Sequence, residues 1–343
     1  MRAAIVREPG KLVVEDIPDP KLGPYDALCR LLYGATCVGT DLHIINNQFP
    51  WPVKYPTLLG HESIGRVERV GDKVRNLRVG DIVARVCNLK PGDGQLSSNW
   101  GGFAEYGIAR DHRAMKQDGM PASDWNAYRV NEVVPPDIDP AEATMMITWR
   151  ETLSFIRRMS AAGISGKSVL IVGSGGNGLA FAAHARNLGA AAVALIGSGE
   201  RQATGLQVGA THYYSYRGET GAQAIGQAFP NGFDYIIDAI GKATSLDDVL
   251  PYAARGAAIA HYGLDDFGKW TLNPARAPGT FTYYNGGYDE AETHDAVVAF
   301  MRAGKLNARH WLNGAAPYPL ERITEAYAAV QNRKEIKALV RLS

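Results

Sequence analysis

Thr40 and His43 place a hydroxyl and an imidazole three residues apart in the run Cys37-Val38-Gly39-Thr40-Asp41-Leu42-His43. Such a pair can pass a proton along a short chain of side chains. A second imidazole follows in Gly60-His61-Glu62, beside a carboxylate. Thiolate, imidazole and carboxylate are the groups that zinc prefers, so Cys37, the one thiol near these residues, raises the question of a metal. In an extended strand adjacent side chains point to opposite faces, so Cys37 and Val38 cannot serve the same site if that register holds. Each residue also has a plainer reading: Thr40 as a helix N-cap, His43 as a surface residue, Cys37 as a small buried apolar side chain.

The second chemical signal is Gly173-Ser174-Gly175-Gly176-Asn177-Gly178, which fits G-x-G-x-x-G. In a chain with 38 glycines the pattern alone is weak. Its context is stronger, because it follows the apolar strand Val169–Val172 and opens a helix near Leu179. Gly173 permits the tight turn, Gly175 lets backbone approach a pyrophosphate, and Gly178 allows close helix–strand packing. The helix N-terminus supplies N–H groups and positive dipole to the phosphates. The next strand ends Ile196-Gly197-Ser198, without the acid that accepts from a ribose 2′-hydroxyl. Gly197, Ser198 and Arg201 could instead meet a 2′-phosphate, which favours NADP over NAD. Glu200 argues the other way, and Arg201 has a plainer reading as a solvated residue at a helix start.

These motifs need elements to hold them. A chain of 343 residues suggests two domains. Up to Arg110 the sequence reads as short strands, such as Ala27–Leu32, Ser63–Val70 and Ile82–Val86, broken by Gly-Asp turns. Asp111–Asn126 is polar and reads as an inserted loop. Pro140–Ala162 changes to an amphipathic helix. From Lys167 strands and helices alternate, which implies a parallel, doubly wound sheet. Helices near Asp295–Ala303 and Leu320–Gln331 and a strand near Lys337–Leu342 close the chain. A formal net charge of +1 gives no reason to expect nucleic acid or an acidic membrane as partner. Three cysteines make no disulfide framework, and no run reaches membrane-spanning length. The expectation is a cytoplasmic protein without a leader, acting on a small molecule.

Taken together, the Gly-Thr-Asp and Gly-His-Glu segments, the Gly71/Gly80-Asp81 spacing, Gly101-Gly102-Phe103-Ala104-Glu105-Tyr106, the glycine-rich turn and Asp234-Tyr235-Ile236-Ile237-Asp238 resemble the medium-chain dehydrogenase/reductase superfamily. The likeness is to its zinc-type alcohol dehydrogenases. The resemblance implies a GroES-like, barrel-type catalytic domain (1–145), a Rossmann nucleotide domain (146–289), a C-terminal return to the first (290–343), and a homodimer or homotetramer. It places the three catalytic zinc ligands on Val38, His61 and Thr148, of which only His61 coordinates zinc well. The four-cysteine structural zinc lobe is replaced by Asn88–Gly101, which has no cysteine. Thr40 matches the hydroxyl that passes the substrate proton and His43 the histidine that relays it.

The leading expectation is therefore an NADP-dependent oxidoreductase that works without zinc. It moves hydride between nicotinamide and an alcohol, a ketone or a conjugated alkene, with Thr40, His43 and His61 as catalytic groups. Cys37 and His61 with Glu62 or Glu151 could rebuild a zinc site, which gives the alternative of a conventional alcohol or polyol dehydrogenase. A nucleotide-binding protein without turnover is the third reading. Arg150 could anchor an anionic substrate or face solvent, and Trp51 and Trp149 could line the substrate cleft or belong to the core.

Overall fold

The computed structural model describes residues 1–88, 96–217, 220–312 and 316–343. The segment without the four-cysteine lobe lies in part outside the described residues. The chain divides into two compact units, Met1–Ile147 with Asn307–Ser343, and Thr148–Leu306.

In the first unit, strand Asp26–Ala35 is the hub of the larger sheet. It pairs antiparallel with Glu62–Val70, with Tyr106–Arg110 and with the C-terminal strand Leu339–Arg341. A smaller sheet joins Lys11–Asp16, Arg2–Glu8, Thr57–Leu58 and Ser97–Ser98. Apolar residues from both sheets and the segments beside them, among them Ile5, Leu31, Leu59 and Phe103, fill one core. The polar stretch expected as a loop contains two short helices instead, His112–Gln117 and Ala122–Trp125. The reason is a cap: the Asp111 carboxylate accepts from Ala114 N–H and also from the Arg75 and Asn76 backbone.

The second unit is built on a six-stranded, all-parallel sheet. Its order is His212–Ser215, Ala192–Gly197, Ser168–Val172, Phe233–Asp238, Ala253–His261, Phe281–Tyr283. In sequence terms this is 3-2-1-4-5-6, the doubly wound dinucleotide-binding order. The strands are apolar because helices cover both faces: four of five residues in Ser168–Val172 are buried.

The return to the first unit begins at Asn307, later than the expected 290. Residues 290–306 stay with the second unit because Arg150, fully buried, pairs with Glu290 and lies 3.5 Å from His294 Nδ1. Thr293 Oγ1 also donates to the Arg150 carbonyl at 2.8 Å.

Candidate active site

The chemistry of the first unit gathers where three adjacent strands end. Ala35 lies opposite Glu62 on one side and Leu339 on the other. The residues just beyond these pairs, Thr36 and Cys37, His61, and Lys337, therefore converge. Thr36 and Ala338 lock the ends together, the Thr36 N–H donating to the Ala338 carbonyl and the Ala338 N–H to Thr36 Oγ1.

Cys37 is still extended, with φ −120°, but the chain then turns at once into a five-residue π-helical turn, Val38–Leu42. A π turn takes up one residue more than an α turn, a distortion common at functional sites. The residue thrown outward is Val38, 42% exposed. The ligand-type atoms of Cys37, His61 and Glu62 lie within 4.8 Å of one another. The expectation that strand register would keep Cys37 from the site is thus corrected: the strand ends at Ala35, and no extended register links Cys37 to Val38.

The imidazole of His61 is held by a carboxylate. Asp41, fully buried, lies 3.2 Å from His61 Nδ1 through Oδ1, while its Oδ2 accepts from Cys37 N–H and from the Tyr327 hydroxyl, both at 2.8 Å. Because a carboxylate accepts, Nδ1 carries the proton, and Nε2, 3.8 Å from Glu62 Oε1, faces the group. Burial opposes a charge on His61, but Asp41 and Cys37 outweigh it and hold the imidazole well above its ordinary pKa. Glu62 is matched by Lys337, whose Nζ donates to both carboxylate oxygens, at 2.7 and 2.5 Å, and to the Thr36 carbonyl. Burial works against the Lys337 charge too, and Glu62 reverses it, so its pKa is raised.

Thr40 is half-buried inside the π turn, so it is not the N-cap, which is Cys37. His43 is buried rather than on the surface. Its Nδ1 donates to the Gly39 carbonyl. An aromatic group borders His61: Trp100 lies 5.2 Å from its ring, and Phe49 stands edge-on to Trp100 and to the half-exposed Trp51. Thr148 and Trp149 are fully buried in the second unit, so Trp149 is a core residue. Glu151 belongs to that unit as well and accepts from the Tyr262 hydroxyl at 3.5 Å. Buried Arg150 is the ion-pair anchor already described rather than a solvent-facing or anion-binding side chain.

In the second unit the glycine-rich turn is demanded by sterics at one point and open at another. A Cβ on Gly178 would stand 1.8 Å from the Gly173 carbonyl oxygen. Gly175 meets nothing within 4 Å, so packing alone does not call for glycine there. The helix that follows, Gly176–Asn187, starts inside the motif, earlier than Leu179, and Gly175 gives it no side-chain cap. The N–H groups of Gly176, Asn177 and Gly178 lie in its first turn, at the positive end of the helix dipole, which suits an anion. At the end of the neighbouring strand, a Cβ on Gly197 would fall 2.3 Å from Ser174 Oγ and 2.4 Å from the Tyr213 hydroxyl, so an acid has no room there. Ser198 N–H donates to Ser174 Oγ at 3.1 Å, and the Tyr213 hydroxyl donates to the Ser198 carbonyl. Burial pushes the Tyr213 phenol up, while a hydrogen bond with Ser174 and the Arg201 charge act against it.

Sequence reasoning missed Asp41, Lys337 and Tyr327. Lys337 left one signal, a lone charge inside the apolar run Ile336–Val340.

The fold and these two sites define a dehydrogenase of the two-unit, dinucleotide-binding kind. Residues 23–121 match the alcohol dehydrogenase GroES-like domain family, and residues 176–280 match the zinc-binding dehydrogenase family. The L-threonine 3-dehydrogenase of Streptomyces avermitilis is 30% identical over 272 residues, 75% of each chain. The L-idonate 5-dehydrogenase of Vitis vinifera is 27% identical over 333 residues, 90% of this chain and 85% of that one. The crystal structure of 2R,3R-butanediol dehydrogenase from Bacillus subtilis shares the fold, with a TM-score of 0.79 at 20% identity over 99% of both chains. This chain belongs to the medium-chain dehydrogenase/reductase superfamily, among the alcohol dehydrogenase-like oxidoreductases. Among the described residues no helix is long and apolar enough to cross a membrane.

Proposed function

We propose that this protein is an NADP-preferring dehydrogenase of small alcohols or polyols, with a divalent metal of the zinc type held by Cys37, His61 and Glu62. The observation that carries the reading is the convergence of these three donors, with Asp41 behind the imidazole. The donor set suits such an ion: a thiolate, an imidazole and a carboxylate, with a fourth position for substrate oxygen. A carboxylate behind a metal-binding histidine is the usual outer-shell arrangement. Charge agrees: two buried carboxylates, Asp41 and Glu62, adjoin the group, and Lys337 answers Glu62. A bound zinc would polarise the alcohol or carbonyl oxygen as a Lewis acid.

The residues do the rest. Thr40 passes the substrate hydroxyl proton, and His43 carries it onward. The first-turn N–H groups of Gly176, Asn177 and Gly178 hold the pyrophosphate, with Gly173 and Gly175 shaping the turn. Gly197, Ser198 and Arg201 receive the 2′-phosphate; the crowding at Gly197 supports this reading by excluding the acid that NAD requires there. The relatives' names, for a hydroxy amino acid and a sugar acid, support an alcohol or polyol substrate.

A second reading, turnover without metal through His61, is favoured by the Lys337 ammonium, which already takes both Glu62 oxygens. Elemental analysis with an assay after chelation decides between the two. About one zinc per chain, with activity lost to chelator and restored by zinc, is the expected result. Full activity in metal-free protein would overturn it in favour of His61 acting alone.

A further inference from the structure

The C-terminal return does more than complete a sheet. Helix Ile323–Gln331 buries Ile323, Ala326, Tyr327 and Val330, the i, i+3, i+4, i+7 stripe of an amphipathic helix. Four apolar side chains would satisfy that stripe. One of them instead carries a hydroxyl into the core, where burying it without a partner is costly. The partner is Asp41, 286 residues earlier, at 2.8 Å. The Tyr327 ring is 3% exposed and packs edge-on to Phe103 at 6.4 Å. A phenylalanine would keep that packing and lose only the hydrogen bond.

We propose that Tyr327 is a positioning residue for the Cys37–His61–Glu62 site. Its hydroxyl, with the Cys37 N–H, pins Asp41 Oδ2 so that Oδ1 meets His61 Nδ1 and Nε2 is presented to the site. The two donors fix one oxygen of the carboxylate and so set where the other lies. Without the hydroxyl a single backbone N–H remains on Oδ2, and Asp41 can rotate away from the imidazole. The ring loses its fixed tautomer and tilt, the two properties that an outer-shell carboxylate confers on a metal-binding histidine. The inference rests on the metal reading above for its first readout, and on His61 alone for its second.

The test compares Tyr327→Phe with the wild-type chain by titration with Co2+ and Zn2+, beside NADPH titration and thermal unfolding. The expected result is metal affinity weaker by about 10–100-fold, the range for loss of such partners. NADPH affinity is unchanged and the melting temperature falls by no more than a few degrees. A cycle with Asp41→Asn separates positioning from packing: if Tyr327 acts through Asp41, its loss adds little in that background. Metal affinity and kcat both within about twofold of wild type, or fully additive losses in the cycle, would overturn the proposal. If the wild-type chain takes up no metal, the metal reading fails, and kcat of Tyr327→Phe then decides this one. A fall in kcat at unchanged KM and NADPH affinity, absent in the Asp41→Asn background, supports it; an unchanged kcat overturns it.

Discussion

His61 and His184 are both buried, one in each unit, and their surroundings push the two imidazoles in opposite directions. Around His184, on the helix that the glycine-rich turn opens, burial dominates and depresses the imidazole to about 3. Around His61, burial of similar depth is overruled by Asp41 and Cys37, and the imidazole is held well above its ordinary value. Depth alone therefore does not mark a reactive histidine. The neighbours matter as much: Cys37 and Asp41, which act on His61, come from the turn some twenty residues earlier, whereas His184 is embedded in its helix among apolar side chains such as Phe300.

The largest effect that tests this contrast is on catalysis. His61→Ala removes a metal donor on the leading reading and the acid–base group on the second, and on either should lose at least about 10²-fold in kcat while NADPH binding stays intact. Steady-state kinetics with fluorescence titration would show it, and a loss below about tenfold would remove His61 from the mechanism. Lys337→Met should destabilise by about 3–5 kcal/mol, because it breaks a buried ion pair by removing the ammonium that meets both Glu62 oxygens. Denaturant unfolding measures this, and adding Glu62→Gln should restore much of the loss. If the single variant unfolds like wild type, the pair does not hold the strand ends together.

On the dinucleotide side the effects are smaller. Arg201→Ala should cost about 1.5–3 kcal/mol of NADPH affinity, the range for hydrogen bonds to charged groups. NADH affinity should not change, and equal weakening of both cofactors would deny Arg201 the 2′-phosphate. The smallest effect is a slope. With its folded value near 3, His184 stays neutral in the folded chain, while the unfolded chain takes up a proton below about pH 6.5. Stability therefore falls as pH drops through that window, by up to about 1.4 kcal/mol per pH unit, and the fall ends near the folded value. His184→Leu should flatten that slope between pH 6 and 4 in urea midpoints. An unchanged slope would mean that other groups carry the acid lability.

The dinucleotide turn was legible because it is contiguous. Strand Ser168–Val172, the six residues after it and the helix that follows form one local unit, and Gly178 is required by an oxygen only five residues away. The parallel sheet was legible for the same reason, since apolar runs alternating with helical periods leave few topologies. Asp111–Asn126 misled because polar composition outweighed the Asp111 cap.

What the sequence by itself determined is the family and the parallel sheet, with Thr40, His43, His61 and Cys37 named as candidates. What only the tertiary structure decided is which of Cys37 and Val38 faces that chemistry, where the return begins, and who stands behind each donor. The physical reason is range. A π turn in place of continued strand is settled by what packs against it, and the partners of Asp41 and Glu62 lie 286 and 275 residues away. No local periodicity carries that information; it arises when Leu339–Arg341 takes its register against Asp26–Ala35.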